Sequence, residues 1–336
     1  MASQVSTRQL VVTRTPLRVS FAGGGTDLAA FYDHDYGAVL STAINKYIYV
    51  TVKRHSDIFQ ESIRINYSRS EQVTRIEDVQ NNIARECLRF LEVEPPIYIS
   101  TVGDLPASTG LGGSSSFTVG LLNALHAFKG ERVSAGQLAE EASHIEIDIL
   151  GEPIGKQDQY AAAFGGLNLF CFRAGGSVAV EPQRLANGAL HELFDSMMMF
   201  WTGHQRDSRS VLSEQKAHTA EKMESLQQMR GHAERLRSLL SGGLCNIKAF
   251  AAVLDEGWQL KRQLGSRITN DQIDQWYARA RVAGALGGKL CGAGGGGFLL
   301  FLVPHDKQTL VSNALSDLRQ ITVAPEVHGS QVLFVE

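Results

Sequence analysis

A glycine- and serine-rich loop at residues 106–116 constrains this chain more than any other stretch. It follows a strand-like run at residues 97–102 and leads into an apolar pattern at residues 117–128, long enough for a buried helix. A strand, such a loop and a helix N-terminus together form an anion site, because unpaired N–H groups point outward and the helix dipole favours negative charge. The loop therefore predicts phosphate binding, with an ordinary serine-rich helix cap as the alternative. It is not a Walker A sequence, because no Gly-Lys-Ser/Thr follows it.

Length and composition narrow the class of protein. The 336 residues suffice for one large or two medium domains, and 43% hydrophobic with 20% charged residues is ordinary for a globular protein. A net charge of −3 gives no reason to expect nucleic acid or an anionic membrane as a partner. The four cysteines lack metal-ligand spacing, and no apolar run approaches the length of a membrane span. We therefore expect a cytoplasmic protein without a membrane segment.

Apolar alternation in the first part of the chain predicts strands. Residues 10–13 and 17–21 have the pattern of two strands separated at Pro16. Residues 46–53 form a further predicted strand, with residues 62–67 as its hairpin partner.

Helix caps mark the helical segments. Ser134, followed three residues later by a glutamine, forms a capping box, and Asn246 and Asn270 have the position of N-caps. Residues 207–240 are predicted to be largely helical, with an interruption near Gly231.

Two buried strands are predicted in the middle of the chain, at residues 167–172 and 197–201. The stretch between them, residues 173–190, has a softer mixed composition and is the candidate domain boundary.

A second glycine-rich stretch, residues 287–297, lies between a predicted helix and a predicted strand. Gly292, Gly294 and Gly297 formally satisfy G-x-G-x-x-G, but a dinucleotide site has its strand before the glycines and its helix after them. The pattern therefore argues against a Rossmann site and indicates a tight backbone passage beside a ligand. Helix, strand, helix and strand follow one another here, which suits an α+β sandwich.

Three charged residues are candidates for a catalytic or metal-binding role, and each could instead have an ordinary structural or surface role. Asp158 is either a turn-former or a group that accepts a proton from a substrate hydroxyl. Glu146 is either a surface glutamate or a ligand for Mg²⁺, which needs hard oxygen donors. Arg18 alternates with apolar neighbours on a strand and could simply face solvent. No histidine cluster has metal spacing, and no local motif indicates a Ser-His-Asp hydrolase.

A further glycine-rich loop lies at residues 22–27. The three glycine-rich stretches together resemble the GHMP kinases, the superfamily of galactokinase, homoserine kinase, mevalonate kinase and phosphomevalonate kinase. The matching motifs are residues 15–27, 106–116 and 289–298, so the resemblance spans almost the whole chain. Within the superfamily, the opening motif and residues 202–206 are most similar to the D-glycero-D-manno-heptose 7-phosphate kinases.

The resemblance implies a fold and an activity. The implied α+β fold joins a ribosomal-protein-S5-like N-terminal domain, residues 1–185, to a ferredoxin-like C-terminal domain, residues 190–336, with the site between them. The implied reaction uses ATP and Mg²⁺ to phosphorylate the anomeric C1 hydroxyl of heptose 7-phosphate, on the way to nucleotide-activated heptose.

Site residues follow from the same resemblance. It implies that Asp158 is the catalytic aspartate, that Arg18 neutralises charge near the transferring phosphoryl group, and that Ser114 and Glu146 bind Mg²⁺. The ATP-binding residues are then Pro106, Gly110, Leu111, Gly112, Gly113, Ser114, Ser115 and Ser116. The substrate-binding residues are Gly24, Gly25, Thr26, Asp27, Lys156, Arg206, Gly294 and Gly295, with Asp27 bonded to sugar hydroxyls.

The chain departs from the family pattern at three places. Gly113 replaces a common serine, which leaves Ser115 as an alternative to Ser114 for the metal. The loop before Asp158 is one residue longer than in mevalonate kinase, which bears on the assignment of Glu146. Galactokinase-like members have a glutamate at the position of Gly24, and its absence opens room for an anionic end of the substrate. A phosphate there would need cations, of which Arg206 is the first candidate and Lys156 and Arg209 are the next.

Other functions remain open at this point. The nearest is a kinase for another sugar, such as galactose, fucose or a glycuronic acid, since one fold hosts many substrates. A decarboxylase of the diphosphomevalonate branch and a non-catalytic sensor of sugars or nucleotides are the remaining candidates. ATP turnover on a panel of sugar phosphates separates them.

Overall fold

Two β-sheets organise the chain. The computed structural model describes residues 9–186, 188–204, 222–243, 245–265 and 267–336. Its strands are β1 (Leu10–Ala22), β2 (Gly37–Arg54), β3 (Ile63–Asn66), β4 (Ser70–Val73), β5 (Ile97–Gly103), β6 (Leu167–Phe172), β7 (Val178–Pro182), β8 (Met197–Trp201), β9 (Gly287–Leu290), β10 (Phe298–Leu302), β11 (Arg319–Ile321) and β12 (Gln331–Val335).

Helices cover the sheets. They are α1 (Ala29–Tyr32), α2 (Asn82–Phe90), α3 (Gly113–Phe128), α4 (Ala135–Ser143), α5 (Gln157–Phe164), α6 (Ala189–Asp195), α7 (Met223–Leu240), α8 (Ile247–Lys261), α9 (Asp271–Val282) and α10 (Gln308–Ala314). A π-helical segment, His144–Ile149, continues α4. None of the helices in the described ranges has the length and apolarity needed to cross a membrane.

The first sheet has eight strands in the order β12-β1-β2-β5-β3-β4, and β6 and β7 extend it from β2. The eighteen-residue strand β2 makes this branching possible, because its first part pairs with β6 and its second part pairs with β5. The last strand of the chain pairs with β1, with Val11 opposite Val335. The C-terminus therefore lies in the first sheet, and the division into residues 1–185 and 190–336 stays a prediction.

The second sheet has the order β11-β8-β10-β9, and all of its pairs are antiparallel. It packs against the first sheet through one core. Leu17, Val19 and Phe21 on one face of β1 are buried in this core with Met199 of β8 and Leu300 of β10. Because side chains alternate along a strand, Arg18 and Ser20 face the other way. Because of that alternation, Arg18 lies on the face of β1 that lines the cavity of the candidate active site.

The predictions from local patterns are largely confirmed, and the α+β composition is observed. The strands at residues 167–172 and 197–201 have the predicted bounds. The side chains of Ser134, Asn246 and Asn270 each accept a hydrogen bond from the backbone N–H three residues later, as N-caps do.

Four local predictions need correction. Residues 10–21 form one strand rather than two, with an irregularity in the pairing of β1 and β2 next to Pro16. The segment at residues 62–67 does not form a hairpin with β2, because β3 pairs with β4 and, in parallel, with β5. Helix α7 runs through Gly231 without a break. The glutamine of the capping box, Gln137, bonds to Glu141 with its side chain instead of closing the box.

Candidate active site

The loop between β5 and α3 has the geometry of an anion cradle. Gly110 and Gly112 adopt φ values of +81° and +78°, in the left-handed region that favours glycine. Gly112 is the N-cap residue of α3 and caps the helix without a side-chain bond. The first N–H groups of α3 therefore have no intrahelical partner and point into the space in front of the helix.

The second glycine-rich stretch lies directly against this loop. A Cβ placed on Gly292 would be 2.4 Å from the Cα of Gly110, and one on Gly110 would be 2.6 Å from the carbonyl oxygen of Cys291. A Cβ on Gly297 would be 2.5 Å from the carbonyl oxygen of Thr109. The two loops pack backbone to backbone, and this confirms the predicted tight passage.

A cavity of about 280 Å³ opens in front of the loops. Its lining includes backbone from both loops and four charged side chains, Arg18, Glu146, Glu152 and Asp158. The loop residues are Ser108, Thr109, Gly110, Gly112, Gly113, Ser114, Ser115, Gly292, Ala293, Gly294 and Gly296. The structure thus brings most of the predicted phosphate loop together with the predicted catalytic and metal-binding acids.

Arg18 and Asp158 form a two-pronged ion pair. The Arg18 Nε and Nη2 atoms donate to Asp158 Oδ1 and Oδ2, each at 2.7 Å. The remaining guanidinium nitrogen, Nη1, donates to the carbonyl oxygen of Gly110 at 2.8 Å. Arg18 is 4% exposed, so the alternative that it faces solvent is wrong. The pair fixes the carboxylate from the first turn of α5 beside the glycine loop.

Glu146 is buried at the back of the same cavity. Ser114 Oγ donates to its Oε1 at 3.0 Å, and Gln159 Nε2 donates to its Oε2 at 2.7 Å. Burial raises the pKa of Glu146 to about 7, although the hydrogen bonds from the neighbouring hydroxyl and amide groups oppose the shift. The alternative of a surface glutamate is wrong.

The oxygen donors of Glu146 and Ser114 suit a hard cation such as Mg²⁺. The described part of the chain contains no cluster of three or more His, Cys, Asp and Glu side chains that could bind a metal ion by itself. A cation here would therefore also need oxygens from a bound phosphate.

Asp27 is held by the protein itself. It is 2% exposed, its Oδ1 accepts from the Gly25 N–H at 2.9 Å, and its Oδ2 accepts from Gln157 Nε2 at 3.0 Å. Burial and, secondarily, the charge of Asp158 raise its pKa. Asp27 thus ties the loop after β1 to the start of α5, and its bond to sugar hydroxyls stays a prediction.

Four predicted binding residues do not have the expected exposure. Ser116 is fully buried and donates to the carbonyl oxygen of Pro16 at 2.8 Å. The Leu111 side chain lies in the core. Thr26 is fully buried and donates to the carbonyl oxygen of Gly23 at 2.7 Å. Pro106 is exposed and does not line the cavity. The side chains of Ser116, Leu111 and Thr26 thus lie in the protein interior, and the assignment of these four residues to ligand binding stays a prediction.

The remaining predicted residues lie at different places. Lys156 donates to Glu140 Oε2 and to the carbonyl oxygen of Gly176, each at 2.9 Å, and lines a separate cavity of about 400 Å³. Gly294 lines the cavity in front of the two glycine loops. The N–H of Gly295 donates to the carbonyl oxygen of Ile268 and so fixes the second glycine loop. Arg206 and Arg209 lie outside the described residues.

Two lysines were not identified from the sequence. Lys261 and Lys289 line a smaller cavity of about 50 Å³, which shares Arg18, Gly292 and Ala293 with the larger one. Lys289 lies within the second glycine-rich stretch, at the start of the motif at residues 289–298, and this position was the one available signal for it. Lys261 ends a helix, where a lysine normally interacts with the helix dipole in solvent, so its pattern gave no signal.

An anion cradle beside a fixed arginine and two acids provides the positioning and charge neutralisation that phosphoryl transfer needs, so the fold and site define a kinase. Comparison with known proteins gives the family. The model of the GHMP kinases N-terminal domain matches residues 78–166, and the model of the GHMP kinases C-terminal domain matches residues 243–319. The chain belongs to the GHMP kinases and is an ATP-dependent sugar kinase.

Relatives over the full length support this. The chain is 29% identical over 317 residues to a D-glycero-alpha-D-manno-heptose 7-phosphate kinase of Campylobacter jejuni, covering 90% of this chain and 92% of the relative. It is 25% identical to a galactokinase of Thermococcus kodakarensis, with the same coverage. A crystal structure described as a D-glycero-D-manno-heptose 1-phosphate kinase from Bacteroides thetaiotaomicron superposes with a TM-score of 0.79 at 27% identity, over 97% of this chain and 99% of that one.

The contact between the two glycine loops gives a prediction. Alanine at Gly292 would force the loops apart, so we expect Gly292→Ala to raise the KM for ATP by about 10- to 100-fold, as displacements near 1 Å do. Gly130→Ala is the matched control, since Gly130 has a φ of +83° but no atom within 4 Å of an added Cβ. It carries the backbone strain without the clash. Equal KM values for ATP in the two variants would contradict a role of the contact in nucleotide binding.

Proposed function

We propose that the protein transfers the γ-phosphoryl group of ATP to the anomeric C1 hydroxyl of D-glycero-D-manno-heptose 7-phosphate, giving the 1,7-bisphosphate for nucleotide-activated heptose. One observation carries the proposal. Arg18, whose guanidinium is paired with Asp158, lines two cavities, one in front of the phosphate loop and one lined by buried lysines. The described activity of the Campylobacter jejuni relative supports the choice of sugar.

The proposed nucleotide site uses the loop backbone. The ATP phosphates contact the N–H groups at the start of α3 and beside Gly110 and Gly112, where the helix dipole adds attraction. Ser114 and Glu146 would hold Mg²⁺, which would supply positive charge against the phosphates when bound. Ser114 is the better candidate than Ser115, because Ser114 is exposed to the cavity whereas Ser115 is 2% exposed.

The proposed chemistry divides between Asp158 and Arg18. Asp158 accepts the proton of the sugar hydroxyl, since each carboxylate oxygen keeps a lone pair beyond its bond to Arg18. Arg18 keeps its proton at all accessible pH values, so its part is electrostatic. It orients the carboxylate and places positive charge beside the phosphoryl group in transfer.

A substrate panel tests this function. We expect kcat/KM for heptose 7-phosphate to exceed that for unphosphorylated heptose, galactose, fucose and glucuronic acid, with ³¹P NMR placing the new phosphate at C1. Asp158→Asn should lower kcat by about 10²- to 10⁴-fold with little change in ATP affinity, because it removes the proton acceptor. A preference for one of the unphosphorylated neutral sugars, or for glucuronic acid, would refute the heptose 7-phosphate assignment. Near-normal kcat in Asp158→Asn would remove Asp158 from the chemistry.

A magnesium titration tests the proposed cation site. Ser114→Ala and Glu146→Gln should raise the Mg²⁺ concentration for half-maximal activity by about tenfold or more, because each removes an oxygen donor. Affinity for ATP without Mg²⁺, measured by calorimetry, should not weaken. Ser115→Ala is the matched control, and a larger effect there than in Ser114→Ala would transfer the role to Ser115.

A further inference from the structure

The smaller cavity is unusual in having two buried lysines. Lys289 on β9 is 8% exposed, and its Nζ donates to the carbonyl oxygens of Ser20 at 2.6 Å and Phe21 at 3.3 Å. Lys261, the last residue of α8, is 9% exposed and donates to the carbonyl oxygen of Gly292. An ammonium group has three N–H donors, so both lysines retain donors without an acceptor among the described residues.

No carboxylate in the described ranges forms an ion pair with either lysine. The nearby acids are engaged elsewhere, since Asp158 is paired with Arg18 and Asp27 accepts from backbone and amide N–H groups. Buried charges are normally paired, because desolvation is costly. The cavity therefore carries an excess of positive charge that a bound anion would offset.

Other polar atoms around the lysines also lack partners. The Ser20 hydroxyl, in the same cavity, is buried without a hydrogen bond. Trp258 Nε1 and His232 Nδ1 are buried and unpaired, and both side chains line an adjoining cavity that shares the two lysines. Unpaired buried polar atoms at a single place indicate a ligand that supplies their partners.

Burial lowers the pKa of Lys261 to about 8 and that of Lys289 to about 7, and repulsion between the two lysines adds to the effect on Lys289. An anion would restore the charged form of both groups. The nucleotide phosphates are not the natural occupant, because neither lysine lines the cavity in front of the phosphate loop.

We propose that Lys261 and Lys289 bind the phosphate group that the acceptor sugar carries at its end remote from the reacting hydroxyl. The inference rests on the proposed function and names the residues that select a phosphorylated sugar. A phosphate offers several oxygens to the two ammonium groups and to the Ser20 hydroxyl together. Of the sequence-based candidates, Arg206 and Arg209 lie outside the described residues, and Lys156 already has Glu140 as its partner.

Gly24 shows that the cavity has room. A Cβ on Gly24 would meet only Gln157 Nε2, at 3.8 Å, and the backbone there is not left-handed. A side chain at this position would therefore enter the cavity without strain. Gly24→Glu places a negative charge beside the lysines and opposes a second anion, whereas Gly24→Ala tests the added volume alone.

The experiment measures discrimination between heptose 7-phosphate and unphosphorylated heptose. Lys261→Met should lower kcat/KM for the phosphorylated sugar by about 10- to over 100-fold, the value of a charge-assisted contact, and change that for the neutral sugar by less than about threefold. Lys261→Arg should recover part of the loss. Lys53→Met, which removes an exposed lysine of β2 that lines neither cavity, is the matched control.

Two results would overturn the inference: no loss in Lys261→Met, or an equal loss for both sugars. If Lys261→Met does not fold, as its thermal unfolding will show, the Gly24 pair decides. Gly24→Glu must then lose the preference for the phosphorylated sugar while Gly24→Ala retains it, and equal behaviour of the two variants overturns the inference.

A wrong choice of acceptor sugar can be distinguished from a wrong assignment of the two lysines. If the wild type uses a different sugar phosphate, the proposed substrate is wrong, and the same ratio measured with that sugar and its phosphate still decides on the lysines. If the wild type prefers the unphosphorylated form of every sugar, the lysines do not bind an acceptor phosphate.

Discussion

The ion pair between Arg18 and Asp158 is the interaction on which the site depends. It connects strand β1 of the first sheet, the first turn of α5 and, through the carbonyl of Gly110, the phosphate loop. A buried pair of this kind contributes little net stability, because the desolvation of two charges offsets their attraction. Its value is positional: it holds the Asp158 carboxylate in the cavity in front of the phosphate loop, and it holds the Arg18 guanidinium where that cavity and the lysine cavity meet. Removal of Asp158 would leave the buried guanidinium of Arg18 without its carboxylate partner.

Local sequence signals predicted local structure well. The N-caps at Asn246 and Asn270 and the strand at residues 197–201 depend on neighbours within a few positions, and the structure has them as predicted. The partner of β3 depends on a strand more than thirty residues away, and adjacency in the chain suggested the wrong one. Gly231 was expected to interrupt α7, but packing of the helix on the core outweighs the low helix propensity of one glycine.

In the candidate site, too, the sequence motifs predicted some features, whereas others depend on the tertiary fold. The motifs predicted that Arg18, Asp158, Glu146 and the loop at residues 106–116 belong together, and one cavity contains them. Which side chains of the loop face that cavity could not be read from the motif, since Ser116 and Leu111 turn towards the core. Lys261 and Lys289 lie about thirty residues apart and meet only because α8 and β9 pack beside β1. Their burial is a property of the tertiary fold and has no signature in spacing.

The central claim is that phosphoryl transfer takes place across the Arg18–Asp158 pair, from the loop cavity to the lysine cavity. A crystal structure with Mg²⁺, a non-hydrolysable ATP analogue and heptose 7-phosphate tests it most directly. The account predicts nucleotide phosphates on the backbone at residues 110–115. It also predicts the C1 hydroxyl within about 2.6–3.2 Å of an Asp158 carboxylate oxygen, and the 7-phosphate at Lys261 and Lys289. Nucleotide phosphates at the lysines, or a sugar bound away from Asp158, would contradict it.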